Sequence, residues 1–73
     1  MNETVKIWIE ELGNPTKETI KTEIEEVKGT IRNEHLCELG YDGIEPNPHT
    51  ENIKTLEEYL ELLEEMLKNK EDK

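Results

Sequence analysis

Five large aliphatic residues in the carboxyl-terminal third of the chain follow one another at the alternating spacing 3, 4, 3, 4. They are Ile53, Leu56, Leu60, Leu63 and Leu67. This spacing places all five on one face of an α-helix and is typical of a helix that packs along another helix. Tyr59 and Met66 widen the apolar stripe on one side. We therefore expect a helix over about residues 48–68, with a second helix covering its stripe.

A second apolar stripe, spaced 4, 3, 4, lies upstream and consists of Ile20, Ile24, Val27 and Ile31. It resumes as Leu36 and Leu39 with a phase shift, which predicts a helix over about residues 15–39. Gly29 inside this helix costs up to about 1 kcal/mol relative to Ala, and we interpret it as a close approach of another helix. Because only residues 40–47 separate the two long helices, they should form an antiparallel hairpin.

The amino-terminal segment ETVKIWIEELG fits two interpretations. A helical face would contain Val5, Trp8, Ile9 and Leu12. The alternation of Val5, Ile7 and Ile9 also fits a β-strand. We prefer a helix over about residues 3–12, because no partner strand is visible elsewhere and Gly13 follows as a stop. The chain is then a single all-α domain, residues 1–73, with a short N-terminal helix, a long antiparallel hairpin and a frayed tail at residues 69–73.

Two Asn-Pro pairs, Asn14-Pro15 and Asn47-Pro48, precede the two long helices. Asn is a good helix cap, and Pro is tolerated in the first turn of a helix. Gly40 is expected to end the first long helix in the left-handed conformation. These devices favour a rigid connector for "GYDGIEPNPHTENI", residues 40–53. The alternative is a loop tip that contacts a partner through Tyr41, Asp42 and Glu45.

The chain is short for a stable monomer. It has 73 residues, of which 32% are hydrophobic and none is Phe, and its one cysteine, Cys37, has no disulfide partner within the chain. Such a core stabilises the folded state by only a few kcal/mol. We therefore expect a homodimer in which two hairpins form a helical bundle, with a monomer folded around Trp8 as the alternative. The residues assigned to the core or dimer seam are Trp8, Ile20, Ile24, Val27, Ile31, Leu36, Ile53, Leu56, Tyr59, Leu60, Leu63, Met66 and Leu67.

Few side chains in the sequence are suited to catalysis or metal binding. There is no serine, one cysteine and two histidines, His35 and His49. His35 and Cys37, two residues apart on a helix, point about 200° away from each other, so a Cys-His pair would have to join Cys37 and His49. Zinc ligands usually come in pairs such as CxxC or HxxxH, which the chain lacks. We expect no enzymatic activity, no cofactor and no metal.

The start of the chain, MNETVKIW, does not combine a basic segment with a following apolar run, and the longest apolar run covers residues 7–9. This predicts neither a signal peptide nor a membrane span. The last helix carries glutamates where membrane-surface helices carry Lys and Arg. Because a single unpaired cysteine fits a reducing compartment, we expect a cytoplasmic protein.

Acidic residues outnumber basic residues by 19 to 9, which gives a formal net charge of −10. Nine of these net charges fall in residues 33–65, where Lys54 is the one base. This charge disfavours direct binding to nucleic acid. The acids either solvate a helix side or present carboxylates to a basic protein. The candidate carboxylates are Glu57, Glu58, Glu61, Glu64 and Glu65, with Glu34, Glu38, Asp42 and Glu45, and Leu62 is a candidate apolar anchor among them.

The segments VKGTIRNEHLCELG and PHTENIKTLEEYLELLEEML, within residues 27–67, resemble small acidic helical proteins encoded by phages and mobile elements of Gram-positive bacteria. The resemblance implies a protein that binds and inhibits or redirects a host protein. Our leading hypothesis is an inhibitor or adaptor whose acids bind a basic partner, for instance a nucleic-acid-acting enzyme whose phosphate sites they occupy. The second hypothesis is an antitoxin-like coiled-coil module that binds through its apolar seam.

Overall fold

The computed structural model describes residues 3–44 and 46–71, and these residues contain three α-helices and no β-strand. Helix α1 covers Glu3–Leu12, α2 covers Lys17–Leu39 and α3 covers Pro48–Glu71. Helices α2 and α3 pack against each other as an antiparallel hairpin, and α1 packs against α3. The predicted all-α fold with a short first helix and a helical hairpin is confirmed. The strand alternative for the first segment is wrong.

The buried core contains residues from all three helices. The two stripes of the hairpin bury Ile20, Ile24, Val27, Ile53, Tyr59 and Leu63, and α1 adds Val5. Val5, Ile20 and Leu63 have no exposed surface at all. Helix α1 covers part of the hairpin, and one chain buries five stripe residues, Ile20, Ile24, Val27, Ile53 and Leu63. The remaining stripe residues, Ile31, Leu56, Leu60 and Leu67, are only partly buried. The homodimer stays a prediction.

Helix α1 runs in the same direction as α3. Thr4 lines the same depression as Thr55 near the start of α3. Farther along both helices, the ring centroids of Trp8 and Tyr59 are 5.1 Å apart at an interplanar angle of 58°. This arrangement places the chain's one tryptophan between the first helix and the hairpin.

Leu36, which we assigned to the core or dimer seam, does not lie in the core of the single chain. Leu36 is 64% exposed and Leu39 is 85% exposed, so the end of α2 turns its leucines to solvent. The 4, 3, 4 spacing from Ile20 to Ile31 continues without a phase shift through Glu34 and Glu38, which are both partly buried. The seam of the hairpin therefore ends in polar residues that keep the helical spacing.

The two Asn-Pro pairs have different roles. Asn47 Oδ1 accepts a hydrogen bond from the His49 N–H at 2.9 Å, and Pro48 is the first residue of α3, as expected. Helix α2 begins at Lys17, and its cap is Thr16 rather than Asn14. Thr16 Oγ1 accepts from the Thr19 N–H at 3.2 Å, while Pro15 is buried before the helix begins. A hydroxyl within reach of the first turn thus takes the place predicted for Asn14.

The glycines also depart from expectation. Gly13, with φ of 66°, is left-handed and ends α1, which only glycine does without strain. Gly40 has φ of −90°, so the predicted left-handed stop after α2 is wrong. A Cβ added to Gly29 would meet nothing within 4 Å, so the interpretation of Gly29 as a helix contact is also wrong.

Helix α3 extends past the predicted end at residue 68, because residues 69–71 are helical. Lys70 Nζ lies 3.5 Å from Asn14 Oδ1 in the connection between α1 and α2. Lys68 and Lys70 also place positive charge at the carboxyl end of the helix dipole, which stabilises the last turn. Residues 72 and 73 of the predicted frayed tail lie outside the described residues.

Candidate protein-interaction surface

The glutamates of α3 form an outer acidic face, which we define as Glu57, Glu58, Glu61, Glu64 and Glu65. Four of them are exposed, and Glu58 is partly buried. Glu57, Glu61 and Glu64 follow the i, i+4, i+7 spacing of one helix side. The nearby Lys54 lies 3.9 Å from Glu51, which is outside this face. Within residues 3–44 and 46–71, the four exposed glutamates make no ion pair.

Leu62 is not an isolated apolar side chain in the middle of this face. It is partly buried and packs against the core. Together with Ile9, Glu65 and Met66 it lines a shallow depression of about 240 Å³ between α1 and α3. Leu62 therefore belongs to the boundary between the core and the outer acidic face.

The loop folds back on the start of α3. Tyr41 donates a hydrogen bond from its hydroxyl to the Ile44 carbonyl at 3.0 Å, and its ring lies edge-on to His49 with centroids 6.0 Å apart. Asp42 is exposed, and Ile44 is 90% exposed. Glu45 lies outside the described residues. Of the three predicted loop-tip residues, Tyr41 is thus engaged within the chain and Asp42 is accessible.

Four polar side chains join the two helices at the loop end of the hairpin, and we call Glu34, Glu38, His49 and Thr50 the hairpin clasp. The Glu34 carboxylate lies 2.6 Å from His49 Nδ1. Thr50 donates to the Glu38 carboxylate, also at 2.6 Å. The hydrogen bond with His49 is the main cause that lowers the pKa of Glu34 below 4.5. Glu34 and Glu38 were candidates for the carboxylate array, but both contribute to holding the hairpin closed.

The hairpin clasp is the part of this region that sequence reasoning missed. Glu34 and His49 are 15 residues apart, so no local motif links them. A signal was present, because Glu34 and Glu38 occupy the next two positions of the α2 stripe, where a helix faces its neighbour. Polar residues at seam positions are expected to find polar partners on the opposite helix.

A second surface that the sequence did not indicate is the α1–α2 groove. Among the described residues, no Cα atom of α1 lies within 8 Å of one in α2, although α1 comes that close to α3. The gap forms a groove of about 430 Å³. Its apolar floor consists of Trp8, Leu12, Val27, Leu56 and Tyr59, and its acidic rim consists of Glu11, Glu23 and Glu26.

The acidic rim affects the titration of Tyr59 in the floor. Burial raises the pKa of the Tyr59 hydroxyl to about 12, and the negative charge of Glu23, a hydrogen bond with Glu23 and the charge of Glu11 contribute in the same direction. A phenol surrounded by carboxylates resists the loss of its proton. The α1–α2 groove therefore combines an apolar surface with a negative potential.

The described residues contain no cluster of three His, Cys, Asp or Glu side chains placed to hold a metal ion, and Cys37 is exposed. Within the same part of the chain, no helix has the length and apolar character that crossing a bilayer requires.

The fold and its surface define a three-helix protein with a closed apolar core and an acidic exterior. The chain matches no protein-family model, no curated protein and no solved structure.

Proposed function

We propose that this chain is a non-enzymatic protein-interaction module whose outer acidic face binds a basic surface of a partner protein. The observation that carries the proposal is the exposure of Glu57, Glu61, Glu64 and Glu65 on one helix, without ion pairs among the described residues. Exposed carboxylates without an ion-pair partner attract a basic surface, accelerate association and make it dependent on salt.

The spacing of these charges suits a surface that normally binds nucleic-acid phosphates. The outer acidic face runs from Glu57 to Glu65, and eight residues of helix span about 12 Å. The four exposed carboxylates along this length give about one negative charge every 4 Å, and one strand of duplex DNA carries about one every 3.4 Å. The partner we propose is a nucleic-acid-acting enzyme whose phosphate-binding surface the outer acidic face occupies.

The cellular setting of the proposal follows from the resemblance to small acidic proteins of phages and mobile elements. A protein of that kind would act in the cytoplasm of a Gram-positive host, where it would inhibit or redirect the enzyme. A solvating role for the glutamates is the competing explanation, since Glu favours helix formation and solubility. Partner binding distinguishes the two explanations, because solvation requires no partner.

The antitoxin-like alternative, in which apolar seam residues bind the partner, has less structural support. Ile20 and Leu63 have no exposed surface, and Val5 of α1 is equally buried beside them. A partner that used the seam would first have to displace α1 or separate the hairpin. The exposed carboxylates require no such rearrangement.

The test is affinity capture by the tagged full chain from a lysate of a Gram-positive bacterium, followed by mass spectrometry. We expect the retained protein to be a nucleic-acid-binding enzyme. It should be released at about 0.5 M salt, where the screening length is roughly 4 Å. It should also be displaced by added duplex DNA, because DNA and the outer acidic face would compete for one basic surface.

Two double variants with the same change in net charge provide the control. Glu57→Lys with Glu61→Lys reverses the charge at two of the five positions of the outer acidic face, whereas Glu18→Lys with Glu25→Lys does the same at two exposed positions of α2. We expect the first pair to abolish capture and the second to retain it, with the helical circular dichroism signal preserved in both. Capture that persists in the first variant and at high salt would refute the proposal.

A further inference from the structure

The α1–α2 groove has the dimensions of a binding site for a short segment of protein. Its volume of about 430 Å³ falls within the range of pockets that hold large organic ligands. A neighbouring depression of about 320 Å³ extends it, and the two share Trp8, Thr30 and Leu56. Along α2 the combined groove runs from Glu23 to Glu34, which corresponds to about 17 Å, or roughly three helical turns.

The charges that line the groove indicate which kind of protein segment would bind there. Glu11, Glu23, Glu26 and Glu34 line the combined groove, and among the described residues no Lys or Arg does. A depression of similar volume, about 420 Å³, lies where α2 packs on α3 and provides an internal comparison. Its charged lining is mixed, with three lysines and two glutamates: Lys21, Lys28, Lys68, Glu25 and Glu64. An apolar surface with charge of only one sign around it therefore occurs in the α1–α2 groove and not in the comparison depression.

We infer that the α1–α2 groove binds a cationic amphipathic helix of the partner protein. Two or three apolar side chains at i, i+3 or i+4, and i+7 of that helix would cover the apolar floor, while Lys or Arg on both flanks would pair with the acidic rim. The inference rests on the proposed function, in which the chain binds a basic partner, and it assigns a second contact on that partner. A second copy of this chain suits the site less well, because two chains of net charge −10 repel each other.

Trp8 allows binding to be measured directly, because it lies in the groove and is the only tryptophan of the chain. The probe is a synthetic helical peptide of Leu and Lys without Trp, titrated into the full-length protein while Trp8 emission is recorded. We expect saturable binding that weakens with salt. A peptide with Glu in place of Lys should not bind, and one with Ala in place of Leu should bind at least about tenfold more weakly.

Matched variants locate the site. Glu23→Gln with Glu26→Gln neutralises two of the three glutamates of the acidic rim, and Glu57→Gln with Glu61→Gln makes the same change in net charge on the outer acidic face. We expect the first double variant to bind the Leu-Lys peptide about tenfold more weakly than the wild type, and the second to bind it less than about twofold more weakly.

Two single lysine substitutions provide a further test: one blocks the groove without removing a packed side chain, and the other is its control. Thr30 is exposed and lines both parts of the groove. Among the described residues its hydroxyl donates a hydrogen bond within its own helix, to the Glu26 carbonyl at 3.0 Å. Thr30→Lys places a cation there and should abolish peptide binding. Thr22→Lys, at another exposed position of α2, should leave it unchanged.

The outcomes separate this inference from the proposed function. If the rim variants and Thr30→Lys leave peptide binding intact, the groove assignment is wrong, while capture of a partner by the outer acidic face would be unaffected. If the peptide binds in the groove but Glu57→Lys with Glu61→Lys leaves partner capture intact, the groove assignment is supported and the proposal that the outer acidic face binds the partner is wrong. A concentration-dependent dimer that is lost in Thr30→Lys would assign the groove to a second copy and overturn the inference.

Discussion

Replacing Val5 with Ala tests whether α1 completes the core within one chain. Val5 has no exposed surface, and it is the residue through which α1 enters the buried cluster of the hairpin. The matched control is Ile7→Ala on the same helix, because Ile7 is 53% exposed. Both changes replace a β-branched side chain by Ala and raise the helix propensity by a similar amount. The difference between the two variants in the free energy of unfolding therefore reflects the burial of Val5.

The expected magnitude follows from the atoms removed. Val5→Ala deletes two buried methyl groups, worth about 0.8 kcal/mol each in transfer free energy, and leaves a small cavity. A gain of roughly 0.5 kcal/mol in helix propensity offsets part of this loss. The free energy of unfolding should therefore fall by about 1.5–2 kcal/mol, a large fraction of what so small a core supplies. Ile7→Ala should change it by less than about 0.5 kcal/mol.

The assay is urea unfolding followed by both circular dichroism and Trp8 fluorescence. With a denaturant slope of about 1 kcal/mol per M, the midpoint of Val5→Ala should drop by roughly 1.5–2 M. The wild-type midpoint should not depend on protein concentration if one chain buries its own stripes. Equal effects of the two variants, or a midpoint that rises with concentration, would refute the role assigned to α1.

Three further predictions concern titration and backbone conformation. The pKa of Tyr59 is about 12 in the folded chain against 10 for the free group. The contribution of the protonated hydroxyl to the free energy of unfolding is therefore intact below pH 10 and is lost as the pH rises to 12. The difference in unfolding free energy between wild type and Tyr59→Phe should shift by up to about 3 kcal/mol over that interval, and a constant difference would contradict this. The pKa of Glu34 is lowered below 4.5 chiefly by its hydrogen bond with His49. The Glu34 carboxylate therefore stabilises the folded chain above pH 4.5, and this stabilisation is lost as the pH falls through the lowered pKa. Thermal unfolding across the acid range should show a smaller pH dependence in Glu34→Gln, whereas the control Glu57→Gln should follow the wild type. Finally, Gly29→Ala should stabilise the exposed middle of α2 by about 0.5–1 kcal/mol and raise the thermal midpoint by roughly 4 °C, and a lower midpoint would mean that Gly29 is in contact after all.

The hairpin was predictable because helical spacing reports burial directly. Residues 20–31 and 53–67 repeat at intervals of three and four, and the structure buries members of both stripes, among them Ile20 and Leu63. The prediction failed where hydrophobicity and spacing disagreed. Leu36 is apolar but off the seam, whereas Glu34 is charged but on it, and in the structure spacing decided which side chain faces α3.

The candidate site was less accessible to sequence reasoning, because it depends on distances between helices. The acids of α3 are recognisable as one helix side from their spacing alone. The α1–α2 groove exists because α1 packs on α3 and stands away from α2, and no residue pattern encodes that separation. Glu11 and Glu23 become neighbours of Tyr59 only once all three helices are in place.

The hairpin clasp also determines how α2 and α3 align along their length. Stripes of similar aliphatic residues tolerate sliding by one heptad, because the slipped helix again meets aliphatic side chains. Such a slip in this hairpin would bring Leu56 to the position of His49 and leave the Glu34 carboxylate against an apolar side chain. Polar residues at seam positions are known to specify the register of paired helices in this way. The clasp thus makes one alignment of α2 and α3 better than its neighbours, which the repeating aliphatic residues alone would not do.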